Sequence, residues 1–247
     1  MNNSILKATA IEAARKLGPP SFYSLQREEL DESHRFFSNS ELLQRCRSYL
    51  DESKLHPAHG IFHCEKVALE AGAILLIESS RSKHSASERK EMLLCVQMAG
   101  LLHDIKRNEK DHTISGSIEA GRILDELDIG PDCRQYVTAA IRNHEAFRKV
   151  LDSGSGTAKL ISDSLYDADK FRWGPDNFTT TLWLIMESTG IPIKTLYSDF
   201  QEKMEGIRKI KETFRTETGR KYGPEFIDFG IEIGNEIYKE MKHILGD

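Results

Sequence analysis

Four helix-like segments of this chain each carry, on their apolar face, a side chain that a purely hydrocarbon interior would reject. The sharpest case is the pair His103-Asp104, which closes the apolar run Met98-Ala99-Gly100-Leu101-Leu102. Burying an imidazole beside a carboxylate is costly unless hydrogen bonds, a counter-charge or a metal ion compensate. Upstream, His63 shares a helical stripe with Val67, Ala71 and Ile74. Downstream, His144 follows Val137, Ala140 and Ile141 on one side of a predicted helix. In the segment 160–170 two acids compete for the interior. Ile161, Leu165 and Asp169 recur at every fourth residue and face the core, whereas Asp167 lies about 200° away at roughly 100° per residue.

Imidazole and carboxylate without thiolate suit Mn, Fe, Mg, Ni or Zn at an open, hydrolytic kind of site. Cys46, Cys64, Cys95 and Cys133 are scattered with no CxxC spacing, which speaks against a cysteine-type zinc site and against a disulfide framework. A reduced chain is the expectation. His34, His56, His59, His84 and His243 share no apolar register with the site, though His59 stands one turn before His63.

In this order and in this kind of helix, His63, His103-Asp104 and Asp169 in Asp167-Ala168-Asp169-Lys170 resemble the HD-domain superfamily of metal-dependent phosphohydrolases. His63-x-x-Lys66-Val67 is similar to that family's first ligand helix, and Leu101-Leu102-His103-Asp104-Ile105 to its signature. The likeness spans roughly residues 55–175. It implies an all-α HD-domain helical bundle, with additional N- and C-terminal helices. One divalent ion would sit on His63, His103, Asp104 and Asp169. His112-x-x-x-Gly116 resembles the segment that opens the next helix and supplies a second metal in several subfamilies, and His144 resembles the histidine used with it. Asp104 would then bridge two ions and orient the attacking water. Arg107 occupies the place where related HD families put a lysine; with Lys106, Arg142 and Lys170 it is a candidate to bind phosphate, although a solvated charge is the ordinary state of any one of them.

The chain departs from named branches of that family. Asn143 and Glu145 flank His144, so the doubled histidine of the cyclic-di-GMP phosphodiesterases is missing, as is their Gly-Tyr-Pro extension. Arg107 replaces the acid used by the deoxynucleoside 5′-monophosphatase branch. The metal pattern is closer to the branch that cleaves dinucleoside tetraphosphates, but this chain is longer at both ends. The resemblance therefore implies hydrolysis of a nucleotide or other small phosphate ester without naming it. Two alternatives are a mixed-valent diiron HD-type oxygenase and a non-catalytic metabolite-binding module.

Helical periodicity runs through the rest of the 247 residues, of which 39% are hydrophobic and 30% charged, and strand signals are nearly absent. One all-helical domain over 1–247 is expected, with the HD core at about 55–175 and C-terminal helices at about 176–247. The first fifty residues read as short helices broken at Gly18-Pro19-Pro20, with Ser38-Asn39-Ser40 as a cap. Helices are expected around 178–188, 196–216 and 225–244, divided by Gly190-Ile191-Pro192 and by the polar stretch 219–224. The stretch 214–223 is expected to be a turn, or else a junction leaning over the site. The loop 152–157 is placed near the mouth of the pocket. No run is long enough for a membrane span, and the start lacks a signal-peptide pattern, so a cytoplasmic protein is expected. A net charge of −5 provides no general attraction for nucleic acid or anionic membranes; a small phosphorylated substrate fits better.

Overall fold

Apolar periodicity of 3.6 becomes helix almost everywhere in the computed structural model, which describes residues 2–81, 84–151 and 154–246. The helices are α1 (Asn2–Leu17), α2 (Phe22–Leu25), α3 (Arg27–Asn39), α4 (Glu41–Arg47), α5 (Ile61–Ser80) and α6 (Ala86–Leu102), and then α7 (His112–Glu126), α8 (Pro131–Arg142), α9 (Gly156–Phe171), α10 (Leu182–Thr189), α11 (Ile193–Ile210) and α12 (Glu217–Leu245). A 3₁₀ turn at Pro57–His59 precedes α5, and a π-helical turn at Asn177–Thr181 precedes α10. No strand occurs among the described residues: the protein is all-α. No helix among them is long and apolar enough to cross a membrane.

Helix ends obey the local chemistry. α1 stops at Gly18, whose φ of +75° only glycine adopts cheaply. Ser40 caps α4 by accepting from Leu43 N at 3.4 Å, and Ser85 and Glu88 close a reciprocal capping box on α6. Ser155 accepts from Ala158 N at 3.0 Å to start α9.

One hydrophobic cluster runs from Leu6 to Met241. α5 packs against α3, α6 and α9, while α8 packs against α6, α7 and α9; α12 is flanked by α1 and α11. The α5–α6 crossing is close because Gly100 permits it. A Cβ on Gly100 would stand 2.7 Å from the backbone nitrogen of Ala68 and closer still to its Cα, so only glycine lets the two backbones approach here. That crossing sits one turn before His103.

Several sequence expectations are corrected. α12 runs straight through 219–224, although Pro224 removes one backbone hydrogen bond. Gly219 and Gly223 are packing glycines rather than breakers, since a Cβ at either would collide with Asp167 or the Phe214 ring. α11 stops at Ile210 instead of reaching 216, because Asp167 draws the backbone N–H groups of Arg215 and Thr216 to itself, at 2.8 Å each. Cys95 on α6 and Cys133 on α8 form a disulfide with Cα atoms 5.5 Å apart. A separation of 38 residues hides that the two helices pack side by side. Cys46 and Cys64 remain buried thiols.

Candidate metal centre

The ends of five helices converge on one buried point. His63 lies in the first turn of α5, and His103 caps the end of α6 with Asp104 next in the turn. His112 opens α7, and Asp169 stands in the last turn of α9. His144 lies one residue beyond the C-cap of α8, not on its apolar face as the periodicity suggests, yet it is buried and points inward.

Nε2 of His63 is 3.2 Å from Nε2 of His103, and Asp169 Oδ1 is 3.6 Å from each of them. Asp104 Oδ2 is 3.4 Å from His103 Nε2 and 3.8 Å from His63 Nε2. Its other oxygen, Oδ1, faces His144 Nε2 at 3.4 Å and His112 Nε2 at 3.8 Å. Donor atoms held about 2.0–2.2 Å from a common ion stand roughly 3.0–3.6 Å apart. Five of these seven spacings fall in that range, the two at 3.8 Å lie just above it, and most exceed hydrogen-bond lengths. Asp104 Oδ1 is buried with no hydrogen-bond partner, the kind of orphaned acceptor that a cation satisfies.

The ring nitrogens are oriented from behind. His103 Nδ1–H donates to Gly100 O at 2.8 Å and His144 Nδ1–H to Ile141 O at 2.6 Å. A carbonyl only accepts, so Nδ1 carries the proton and Nε2 is left aimed at the centre. His59 completes the picture, with Nδ1 2.7 Å from Asp104 Oδ2. Sequence reasoning misses it because it sits in the three-residue 3₁₀ turn, where no apolar stripe exists to mark its face. Its position one turn before His63 is the only signal. Three overlapping groups could thus hold a metal ion: His59, His63 and Asp104; His63, His103 and Asp169; Asp104, His112 and His144.

The field at this point favours a cation. Burial alone would raise both carboxyls, but the His103 ring beside Asp104, and Lys170 beside Asp169, hold them well below the usual carboxylate range. Burial would lower His103, yet Asp104 and Asp169 prevail and hold it up to about 10. Burial with His59 and His103 nearby pushes His63 well down, and burial with Arg107 pushes His112 down to about 4. His103 Nε2 thus stands between two carboxylates, 3.4 Å from Asp104 Oδ2 and 3.6 Å from Asp169 Oδ1.

A cavity of about 610 Å³ opens on the cluster. Lys170 and Arg107 line it. Lys170 is buried, ion-paired with Asp169 and 5.0 Å from the centre of the Tyr166 ring. Arg107 Nη1 is 2.7 Å from His112 Nε2. Lys106 and Arg142 do not line it: Lys106 pairs with Glu109 at 3.4 Å, and Arg142 is exposed because it comes about 100° after the inward Ile141 on α8. Of the expected mouth loop 152–157, Asp152 and Ser153 fall outside the described residues and the remainder does not line the cavity; Glu145, Ala146 and Phe147 do.

Asp167 is buried but serves another purpose. It accepts from Arg215 N and Thr216 N at 2.8 Å each and from Thr216 Oγ1 at 2.7 Å. Burial outweighs these donors and pushes its carboxyl up to about 6. Arg215 lies 3.5 Å over the Tyr166 ring and donates from Nη1 to Asn143 O at 2.9 Å. The stretch 214–223 therefore braces the backbone just before His144 and does not lean over the mouth. Beside the centre, a buried network joins Arg172 to Glu70 and Asp176, with Tyr23 Oη donating to Glu70 at 2.7 Å and Lys66 to Asp176 at 2.8 Å.

Comparison with protein-family models, with characterised proteins and with solved structures finds no match to this chain.

Proposed function

We propose that the chain is an HD-type, metal-dependent phosphohydrolase acting on a small phosphate ester. His63, His103, Asp104 and Asp169 would hold one divalent ion, and Asp104, His112 and His144 a second. The observation that carries this reading is Asp104, whose two oxygens face two different histidine groups while one of them lacks any hydrogen bond. When bound, such a pair of ions supplies a water of near-neutral pKa and neutralises phosphoryl oxygens. The chain supplies the rest. Gly100 O and Ile141 O fix the tautomers of His103 and His144, and Asp104 orients the attacking water. Arg107 and Lys170, on the cavity wall next to the ligands, pair with the oxygens of the ester. Arg172 is committed to Glu70 and Asp176 and takes no part.

The test is elemental analysis of protein purified without chelator, and then phosphate release from simple phosphate monoesters with Mn, Fe, Mg, Ni or Zn. About two ions per chain are expected, falling to about one in His112→Ala, with phosphate released only by metal-loaded protein. Full metal content in Asp104→Ala, or no release with any of these ions, overturns the proposal. A bridging carboxylate between two histidine groups also suits a diiron oxygenase; oxygen uptake by iron-loaded protein without phosphate release would favour that second reading.

A further inference from the structure

The cavity is polar where it meets the centre and apolar beyond it. Its far wall is built from Phe178 in the π-helical turn, Leu182 and Ile185 on α10, and Met204, Ile207 and Ile210 on α11. Met204, Ile207 and Ile210 recur every third residue, which keeps them on one stripe of α11. Leu182 and Ile185 are only half-buried, because they face this space instead of filling it. Among the lining residues of that wall the one cation, Lys203, is exposed. Protein interiors leave few voids larger than a water. An apolar arm continuous with a cluster of metal-ligating side chains, in a cavity of about 610 Å³, is within the size range of small-molecule sites.

We infer that the ligand of this centre is an amphiphile: a phosphate monoester whose head lies against the His/Asp cluster, Arg107 and Lys170, and whose flexible apolar chain fills the arm between α10 and α11. The inference rests on the phosphohydrolase reading for its head group and on the cavity alone for its tail. Charge decides the orientation, since Arg107 and Lys170 stand at the cluster end and the far wall is mainly hydrocarbon, with Lys203 exposed and Asn177 and Thr181 as its uncharged polar side chains. The same wall disfavours a nucleotide. A base placed there would bury ring nitrogens and carbonyls against Leu182, Ile185 and Ile207, and Asn177 and Thr181, the uncharged polar side chains of that wall, are too few to pair with all of them.

The experiment titrates metal-loaded full-length protein with butyl, hexyl and octyl phosphate and with AMP, all below micelle-forming concentrations. Calorimetry reads binding, and phosphate release is measured separately. Affinity is expected to rise nearly fourfold per methylene, hence about 200-fold from butyl to octyl phosphate, with AMP no tighter than the butyl ester. Ile185→Trp, checked for folding by circular dichroism, should shift the preferred chain to a shorter one. A chain-length gain without phosphate release keeps the amphiphile and defeats the hydrolase. Phosphate release with affinity flat across the series keeps the hydrolase and defeats the amphiphile. Tightest binding by AMP, or a chain-length gain unchanged in folded Ile185→Trp, also overturns it; the unmodified protein decides the first point even if that variant does not fold.

Discussion

Asp167 and Asp169 stand two residues apart on α9, both buried, and removing them should have opposite consequences for metal binding. Asp167→Ala strips the acceptor from three donors, the part-buried Arg215 N and the buried Thr216 N and Thr216 Oγ1. Each unsatisfied donor costs about 1–3 kcal/mol, so the gross loss is roughly 6 kcal/mol. Against this, the variant no longer buries an anion whose carboxyl is pushed up to about 6, which returns about 3 kcal/mol near pH 7. The net destabilisation is about 3 kcal/mol, or roughly 6–12 °C in Tm for a chain of this size. Metal content per folded chain should not change, because Asp167 faces α12. Asp169→Asn should weaken metal binding by more than about tenfold, with a loss of Tm of its own because buried Lys170 is left without its counter-charge. Thermal melts monitored by circular dichroism, with elemental analysis of the folded fraction, read both quantities. Loss of metal in Asp167→Ala without loss of stability, or full metal in Asp169→Asn, refutes this division of labour.

Three further outcomes are expected from the packing around the centre and from one surface turn. Gly100→Ala drives a methyl group into the backbone of α5 at Ala68 and should cost about 1–3 kcal/mol while also weakening metal binding, because Gly100 O orients His103; unchanged Tm and metal affinity would contradict it. Glu70→Ala leaves Arg172 buried without its main counter-charge and should cost about 3 kcal/mol or more, measured by denaturant unfolding, with Glu70→Gln milder. The exposed Asp51 carboxyl is held down at about 2 by hydrogen bonds from Ser53 and Lys54, below its unfolded value of about 3.9. Its contribution is thus complete above pH 4 and lost as the pH falls toward 2, so Asp51→Asn should flatten the acid-side loss of stability in that window; denaturant unfolding at pH 5, 4 and 3 decides it.

The sequence carries the parts of this molecule that helical periodicity encodes, and little that depends on what lies between helices. His63 and Asp169 are placed correctly because each continues an apolar stripe on its own helix. His103 and Asp104 are legible for a different reason: an apolar run that ends in two ionisable residues requires compensation wherever it is buried. The same method fails at 219–224, where glycines that serve close packing against Asp167 and Phe214 look identical, in one dimension, to glycines that break a helix. It fails for Cys95 and Cys133, whose proximity is a property of helix packing rather than of spacing.

His59 and the apolar arm of the cavity mark a deeper boundary. A stripe rule identifies side chains that point into a core, and it assumes that the core is filled. Leu182, Ile185 and Ile207 satisfy the rule as ordinary core residues would, so nothing in their spacing distinguishes a wall that touches protein from a wall that faces space. The distinction arises only when α10 and α11 are set against the helix ends that carry the His/Asp cluster and a void remains between them. His59 is the converse case: a short turn without periodicity, held in place by the start of α5, brings Nδ1 to 2.7 Å from Asp104. Both features belong to the arrangement of the helices, the one as space left unfilled and the other as a ring delivered by a turn. They are therefore the properties for which tertiary packing, and not the pattern of any single helix, supplies the information.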